Sequence, residues 1–167
     1  MTFINLKQLK AVSAFCRKSD DPEVQNCAMA KDGVIVATDF NKMIEIKTKN
    51  DFEFPKYEQA LHVSDDCKKG AIYIDSFIEE LKIALITAKL KKTGNNRTYV
   101  SINNGTIYVT DEGFVSFDAK ILLESIKALK TMDVLCAEVW IKEDKAMVIK
   151  AYRGDDEITV AVMCLIE

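Results

Sequence analysis

The sequence predicts an α+β chain that repeats one unit, a strand, a capped helix and an antiparallel meander, with the helices on one face of the sheets. Three observations carry this. Residues 30–39, AKDGVIVATD, and 102–111, INNGTIYVTD, share a pattern in which an Asp or Asn precedes Gly33 or Gly105, Ile35 or Ile107 follows two places on, and Thr-Asp closes the segment. An internal echo of this kind marks a repeated structural unit. Asp32-Gly33 and Asn104-Gly105 are also the dipeptides that accept positive φ at both central positions of a tight hairpin turn, so each echo is a β-hairpin. Finally, three stretches place apolar residues at helical spacing, each just after a short apolar strand and a residue able to cap a helix.

The first stretch opens with a strand at 2–4 and a cap at Asn5, followed by Leu6, Leu9, Val12 and Phe15 at helical spacing, with Lys7, Lys10 and Arg17 off that stripe. Its end falls at 19–22, because the residue before Pro22 is biased away from helical geometry. A strand at 27–31 enters the first hairpin, where Val34 and Val36 face one way and Ile35 and Ala37 the other. A third strand at 43–47 returns after Phe40-Asn41-Lys42. Residues 50–70 are the least regular, with Pro55, clustered charges and the aromatics Phe52, Phe54 and Tyr57, and read as a long surface connection that packs on the domain or on a partner.

The theme restarts with a strand at 71–74 and a cap at Asp75 or Ser76, where Ser76 and Glu79 have capping-box spacing. Phe77, Ile78, Leu81 and Leu85 with Ile83, Ile86 and Leu90 form a broad apolar face expected to be buried, and Lys82, Lys89, Lys91 and Lys92 lie off it. After a stop at 93–96 and the second hairpin, a strand at 114–117, a cap at Asp118 and the stripe Ile121, Leu122, Ile126 and Leu129 repeat the pattern a third time, with Lys120, Lys127 and Lys130 outside it. Strands at 137–142, 146–151 and 157–166 finish the chain, separated by turns at Glu143-Asp144-Lys145 and Arg153-Gly154-Asp155-Asp156. The expected organisation is a single compact chain of three units, at 1–50, 71–112 and 113–167, with 51–70 as connection. The second unit lacks a third meander strand.

Composition limits the functional classes. With 167 residues, 49% hydrophobic and 29% charged, the chain can bury one good core or two small ones, and disorder is excluded. It has no apolar run long enough to span a bilayer and no signal-peptide pattern, so a cytoplasmic protein without a membrane partner is expected. Five scattered cysteines, an odd number, point to reduced and mostly buried thiols rather than a disulfide framework or zinc site. The net charge of -3 excludes a protein basic all over but leaves room for a basic stripe on one face.

A strand, an amphipathic helix and a meander ending VATDFNKMIEI resemble the repeating unit of the bacterial sliding clamp, the β subunit that tethers a replicative DNA polymerase. The final third, from FDAKILLESIKALK to the apolar VAVMCLIE, is similar to the last unit of such a clamp in its helix and strand spacing. The resemblance covers most of the chain and leaves out 50–70. It implies a DNA-clamp-like fold and a non-catalytic processivity or tethering role in replication or repair. In that family the helices line the hole of a ring and present cations to DNA phosphates, which here assigns Lys7, Lys10, Arg17, Lys82, Lys89, Lys120 and Lys127 to non-specific, salt-sensitive binding of double-stranded DNA. The implied partners are a DNA polymerase or another replication or repair protein, and further copies of the chain.

Two departures bear on that assignment. A bacterial clamp protomer has six such units and this chain three, so a ring needs more copies, closed by edge strands pairing between subunits. The terminal strand of those clamps helps to form a groove for partner peptides. The similar positions here are Ala161, Met163 and Cys164, with a cysteine where those clamps commonly have proline. A clamp-like adaptor or inhibitor that does not encircle DNA is therefore the alternative reading. Lysines on exposed helix faces are ordinarily just solvated, and a methionine in an apolar strand is ordinarily core.

No cofactor, metal or catalytic group is expected. His62 has no Ser or Cys at a motif spacing. Asp65-Asp66 and Asp155-Asp156 sit in turn-like segments that favour solvated loops over a metal site. Gly33 and Gly105 lie in hairpins rather than before helices, so neither opens a phosphate-binding loop.

Overall fold

The computed structural model describes residues 6–16, 28–31, 33–48, 67–90, 96–113, 115–142 and 145–165. Among them the elements run α1 (Leu6–Ser13), β1 (Ala28–Lys31), β2 (Val34–Thr38), β3 (Lys42–Thr48), β4 (Lys68–Tyr73), α2 (Ile74–Leu90), β5 (Arg97–Asn103), β6 (Thr106–Thr110), β7 (Val115–Asp118), α3 (Ala119–Thr131), β8 (Cys136–Lys142), β9 (Ala146–Arg153) and β10 (Asp156–Met163). The ten strands form one sheet in the order β1-β2-β3-β10-β9-β8-β4-β6-β5-β7. Every neighbouring pair is antiparallel except β4 with β6, which meet in parallel at Ala71 and Thr106.

The groups β4-α2-β5-β6 and β7-α3-β8-β9-β10 interlock by reciprocal exchange. The leading strand of each borders the first strand after the helix of the other: β4 pairs with β8 over six residues and β7 with β5 over four. Helices α2 and α3 pack side by side. The group α1-β1-β2-β3 joins the third group rather than the second, since β3 pairs with β10 from Lys42↔Val162 to Thr48↔Asp156 and α1 packs on α3. Chain order and spatial order therefore differ, and α3 is the middle helix.

Side-chain alternation builds the core. Ile35, Ala37, Ile44, Ile46, Val139, Ile149, Ile158, Val160 and Val162 join Val12, Phe15, Phe77, Leu81, Leu122, Ile126 and Leu129 in one buried cluster, so the helices cover one face of the sheet. The alternate residues Val34, Val36, Met43, Val148 and Ala161 form a smaller buried cluster. Gly70 marks the closest approach of the two interlocked groups: a Cβ there would stand 2.8 Å from Ile107 Cγ1. The Ala71 N–H donates to the Gly105 carbonyl at 2.8 Å, alongside the parallel pairing.

Turn chemistry follows the residues. Asn104 and Gly105 both have positive φ, 49° and 74°, and Gly33 has φ 86°. The Asp118 carboxylate caps α3 by accepting from the N–H groups of Lys120 (2.9 Å) and Ile121 (3.2 Å).

Several expectations need correction. Strand β4 begins at Lys68, so 68–70 belong to the sheet rather than to a loop. Helix α2 begins at Ile74, which puts Asp75 and Ser76 inside its first turn, and Glu79 pairs with Lys82 instead of closing a capping box. Leu6 and Leu9 on α1, and Ile83, Ile86 and Leu90 on α2, are exposed rather than buried. Their spacing is helical, but no described element packs over them. Cys136 is exposed, whereas Cys16 and Cys67 are half-buried and Cys164 buried. The strand expected at 2–4, the caps and stops at Asn5, 19–22 and 93–95, and Cys27, Phe52, Phe54, Tyr57, His62 and Asp65-Asp66 lie outside the described residues.

Candidate functional site

Because α3 lies between α1 and α2, the lysines read from the sequence come onto one helical layer. Lys7 and Lys10 are exposed on α1, Lys82 and Lys89 on α2, and Lys120 and Lys127 on α3. Arg17 lies outside the described residues. These cations differ in availability. Lys7 is paired with Asp133, Lys82 with Glu79 at 2.8 Å, and the neighbouring Lys130 with Asp75 at 2.8 Å. The hydrogen bond and charge of Asp75 raise the Lys130 pKa above its ordinary value. The hydrogen bond from Lys7 holds the Asp133 carboxyl below the usual carboxylate range against an opposing desolvation. Among the described residues, Lys10, Lys89, Lys120 and Lys127 form no ion pair. Their ammonium groups are the ones open to an outside anion.

A second site lies where the β2–β3 turn meets the chain's last strand. The Thr38 hydroxyl donates to the Lys42 carbonyl and accepts from the Phe40 N–H, both at 3.0 Å, while Asp39 Oδ1 accepts from the N–H groups of Asn41 and Lys42, each at 3.0 Å. This network holds Phe40 at φ 73° with 70% of its surface exposed. A bulky aromatic in the left-handed region is costly and persists where its surroundings over-determine it. Below the turn, the buried Lys42 ammonium reaches Glu124 of α3 at 2.6 Å and Asp39 at 3.8 Å, and sits 5.6 Å from the centre of the Phe15 ring. The turn is thus fixed to the helical layer.

The terminal strand completes this site. The Met163 N–H donates to the Asn41 carbonyl at 2.8 Å, and the Cys164 N–H to the Lys145 carbonyl at 3.0 Å. Of the three groove residues inferred from the sequence, Ala161 and Cys164 are buried and Met163 is 47% exposed. The backbone bond therefore ties the end of the terminal strand, with its half-exposed Met163, to the turn that carries Phe40. Beside Phe40 is an open cleft of about 630 Å³ lined by Cys16, Lys42, Lys120 and Glu124 among others. Sequence reasoning placed 38–42 in a meander and missed this role. The available signal was a phenylalanine at a turn position that ordinarily takes Gly or Asn.

Among the described residues there is no group of three His, Cys, Asp or Glu side chains able to hold a metal ion. Asp156, one of the paired acids, accepts a hydrogen bond from the buried Gln8 at 2.9 Å. No described helix is long and apolar enough to cross a membrane.

No protein-family model and no curated protein sequence matches the chain. Solved structures do. The DNA polymerase III subunit beta from Pseudomonas aeruginosa superposes with a TM-score of 0.68 at 11% identity, over 96% of this chain and 63% of that one. The DNA polymerase III subunit beta from Borrelia burgdorferi gives 0.66 at 10% identity over 96% and 61%, and the H. pylori beta clamp 0.65 at 12% over 96% and 64%. The chain has the sliding-clamp fold, as the resemblance in its sequence implied, and spans less than two thirds of the length of those clamps.

Proposed function

We propose that this chain is a non-catalytic, sliding-clamp-like tether that associates as a homo-oligomer with duplex DNA and holds a DNA polymerase or another replication or repair protein there, in the cytoplasm. The observation that carries the reading is the clamp fold with α1, α3 and α2 in one layer and unpaired exposed lysines on all three. Lysine ammonium groups bind phosphates as point charges without reading sequence, so a net charge of -3 is no obstacle when the cations share one face. Phe40 beside the cleft supplies an apolar anchor point for a partner segment, with Lys120 on its polar margin and Met163 exposed on the strand bonded to the same turn. The three units inferred from the sequence correspond in this reading to half of one clamp domain and the whole of another.

The reading is tested by the salt dependence of affinity for random-sequence duplex DNA. Each phosphate neutralised contributes about 0.9 to the slope of log affinity against log salt. A slope of several units supports the tether, and no measurable association at low salt rejects it. The second reading, an adaptor or inhibitor that does not encircle DNA, is favoured by the neutralisation of Lys7 and Lys82 by Asp133 and Glu79. It keeps the Phe40 and Met163 site and gives up the lysine layer.

A further inference from the structure

The face of the sheet turned away from the helices carries a different kind of surface. Ile72 on β4, Val139 and Ile141 on β8, and Ile149 and Ala151 on β9 belong to the core beneath the helices, so the alternate residues of these strands point the other way. The pairings set those residues in rows across the sheet. Tyr73 is opposite Cys136, and Lys69 is opposite Trp140. Glu138 is opposite Lys150, with Tyr152 two residues beyond Lys150. Tyr73 and Tyr152 are 62% and 66% exposed, and the exposed Cys136 stands on the strand between theirs. Toward β10 and β3 the same face becomes apolar and buried at Val148, Ala161 and Met43, which confines the platform to β4, β8 and the second half of β9.

The cations of this platform are held against its aromatic surface. The Lys69 ammonium stands 5.0 Å and the Lys150 ammonium 5.5 Å from the centre of the Trp140 ring, both within cation–π range. Glu138 is the carboxylate among them, 3.5 Å from Lys69. Both partners of that pair are more than half exposed, so it is screened by water and open to displacement by an outside anion. We propose that this face binds single-stranded DNA, with bases stacked on Tyr73 and Tyr152 and phosphates at Lys69 and Lys150, which Trp140 holds in place. Exposed rings with ammonium groups beside them suit an unpaired strand, because it presents base faces and phosphates together. A duplex keeps its base faces stacked inside and gains nothing from the rings. An acidic peptide would use the lysines and leave the tyrosines idle. The choice of DNA rests on the reading above, whereas the platform itself takes no residue from the helical layer.

Binding of oligothymidylate to the full chain tests it, with the fluorescence of Trp140, the one tryptophan of the sequence, locating the ligand and the anisotropy of labelled oligonucleotide giving the affinity. The expected result is saturable quenching of Trp140 that weakens as salt rises. Tyr73→Thr/Tyr152→Thr keeps residues that favour strands and should weaken binding at least about tenfold. Lys69→Gln should lower the salt slope by about 0.7, one phosphate contact on a single strand. These side chains are exposed, so the circular dichroism spectrum should be kept. Lys10→Glu/Lys120→Glu/Lys127→Glu on the helices should leave oligothymidylate binding unchanged, whatever it does to duplex binding. Absence of quenching, or binding undiminished by the tyrosine change, overturns the platform and leaves the duplex tether to its own test. Loss of binding through the helical change alone overturns it as well. Polyglutamate that binds as tightly as oligothymidylate overturns base stacking in favour of an acidic peptide, and tighter binding of oligouridylate overturns the choice of DNA.

Discussion

Helices α2 and α3 present the same kind of apolar face in the sequence but use it differently. In α3 the buried residues run from Ala119 to Leu129, nearly its whole length. In α2 they are Ile74, Phe77, Ile78 and Leu81, and none follows, so Ile83, Ile86 and Leu90 stand in solvent. The difference lies in what surrounds each helix. Helix α3 is flanked by α1 and α2 above a sheet that continues through β8, β9 and β10, whereas α2 sits over a group with only β5 and β6 after it. Strand β6 meets β4 only at Thr106, and farther along it the Val109 N–H donates to Glu80 Oε2 of α2 at 2.7 Å. The far half of α2 is thus a mixed surface, Lys82 and Lys89 among exposed isoleucines, and less suited to face phosphates than the outer face of α3.

The largest expected effect breaks this comparison directly. Ile126→Ala in α3 should cost about 2–5 kcal/mol of unfolding free energy in urea, since it opens a cavity in a fully buried site. Ile86→Ala in α2 should stay within about 0.5 kcal/mol, because the side chain already lies in water and alanine favours helix. Comparable losses at both positions would mean that α2 is covered in solution.

Next comes the junction that holds the α2 and α3 groups together. Gly70→Ala should cost about 1–3 kcal/mol, as its Cβ would meet Ile107 and the Gly105 carbonyl oxygen inside normal contact distance. An unchanged urea midpoint would show that β4 and β6 are not in close contact. Asp118→Ala should then cost about 1 kcal/mol by freeing the two N–H groups it caps on α3. The corresponding Asp75→Ala should leave the α2 terminus unaffected, since Asp75 lies within the helix and pairs with Lys130.

The smallest effect concerns the seam between α1 and α3. Asp133 is held below its ordinary pKa chiefly by the hydrogen bond from Lys7, so its contribution is present at neutral pH and lost as pH falls through that lowered pKa. Asp133→Asn, which keeps a residue tolerant of the local φ of 62°, should lower the melting temperature slightly at neutral pH. The difference should vanish in strong acid. A difference that persists there would assign the effect to backbone geometry rather than to the ion pair.

Legibility in the sequence followed the range of the forces involved. Hairpins set by Asn104-Gly105, the cap at Asp118 and the alternation along β2 are local, and they stand where the residues put them. Burial depends on neighbours that the pattern does not identify, so Leu6, Leu9, Ile83, Ile86 and Leu90 read as core and are exposed. The lysines could be assigned to polar helix faces, but their pairing with Asp75, Glu79 and Asp133 is set largely by tertiary placement. The Phe40 and Met163 site joins residues more than a hundred positions apart through one backbone hydrogen bond, a contact that periodicity cannot show.

The central claim, that the helical layer carries DNA, is tested most directly by binding of duplex DNA at low salt before and after Lys10, Lys82, Lys89, Lys120 and Lys127 are replaced together by glutamate. The account predicts that association and its salt dependence are both lost while the circular dichroism spectrum is retained. Unchanged binding by the folded variant would contradict it and remove the helices from the DNA-facing side.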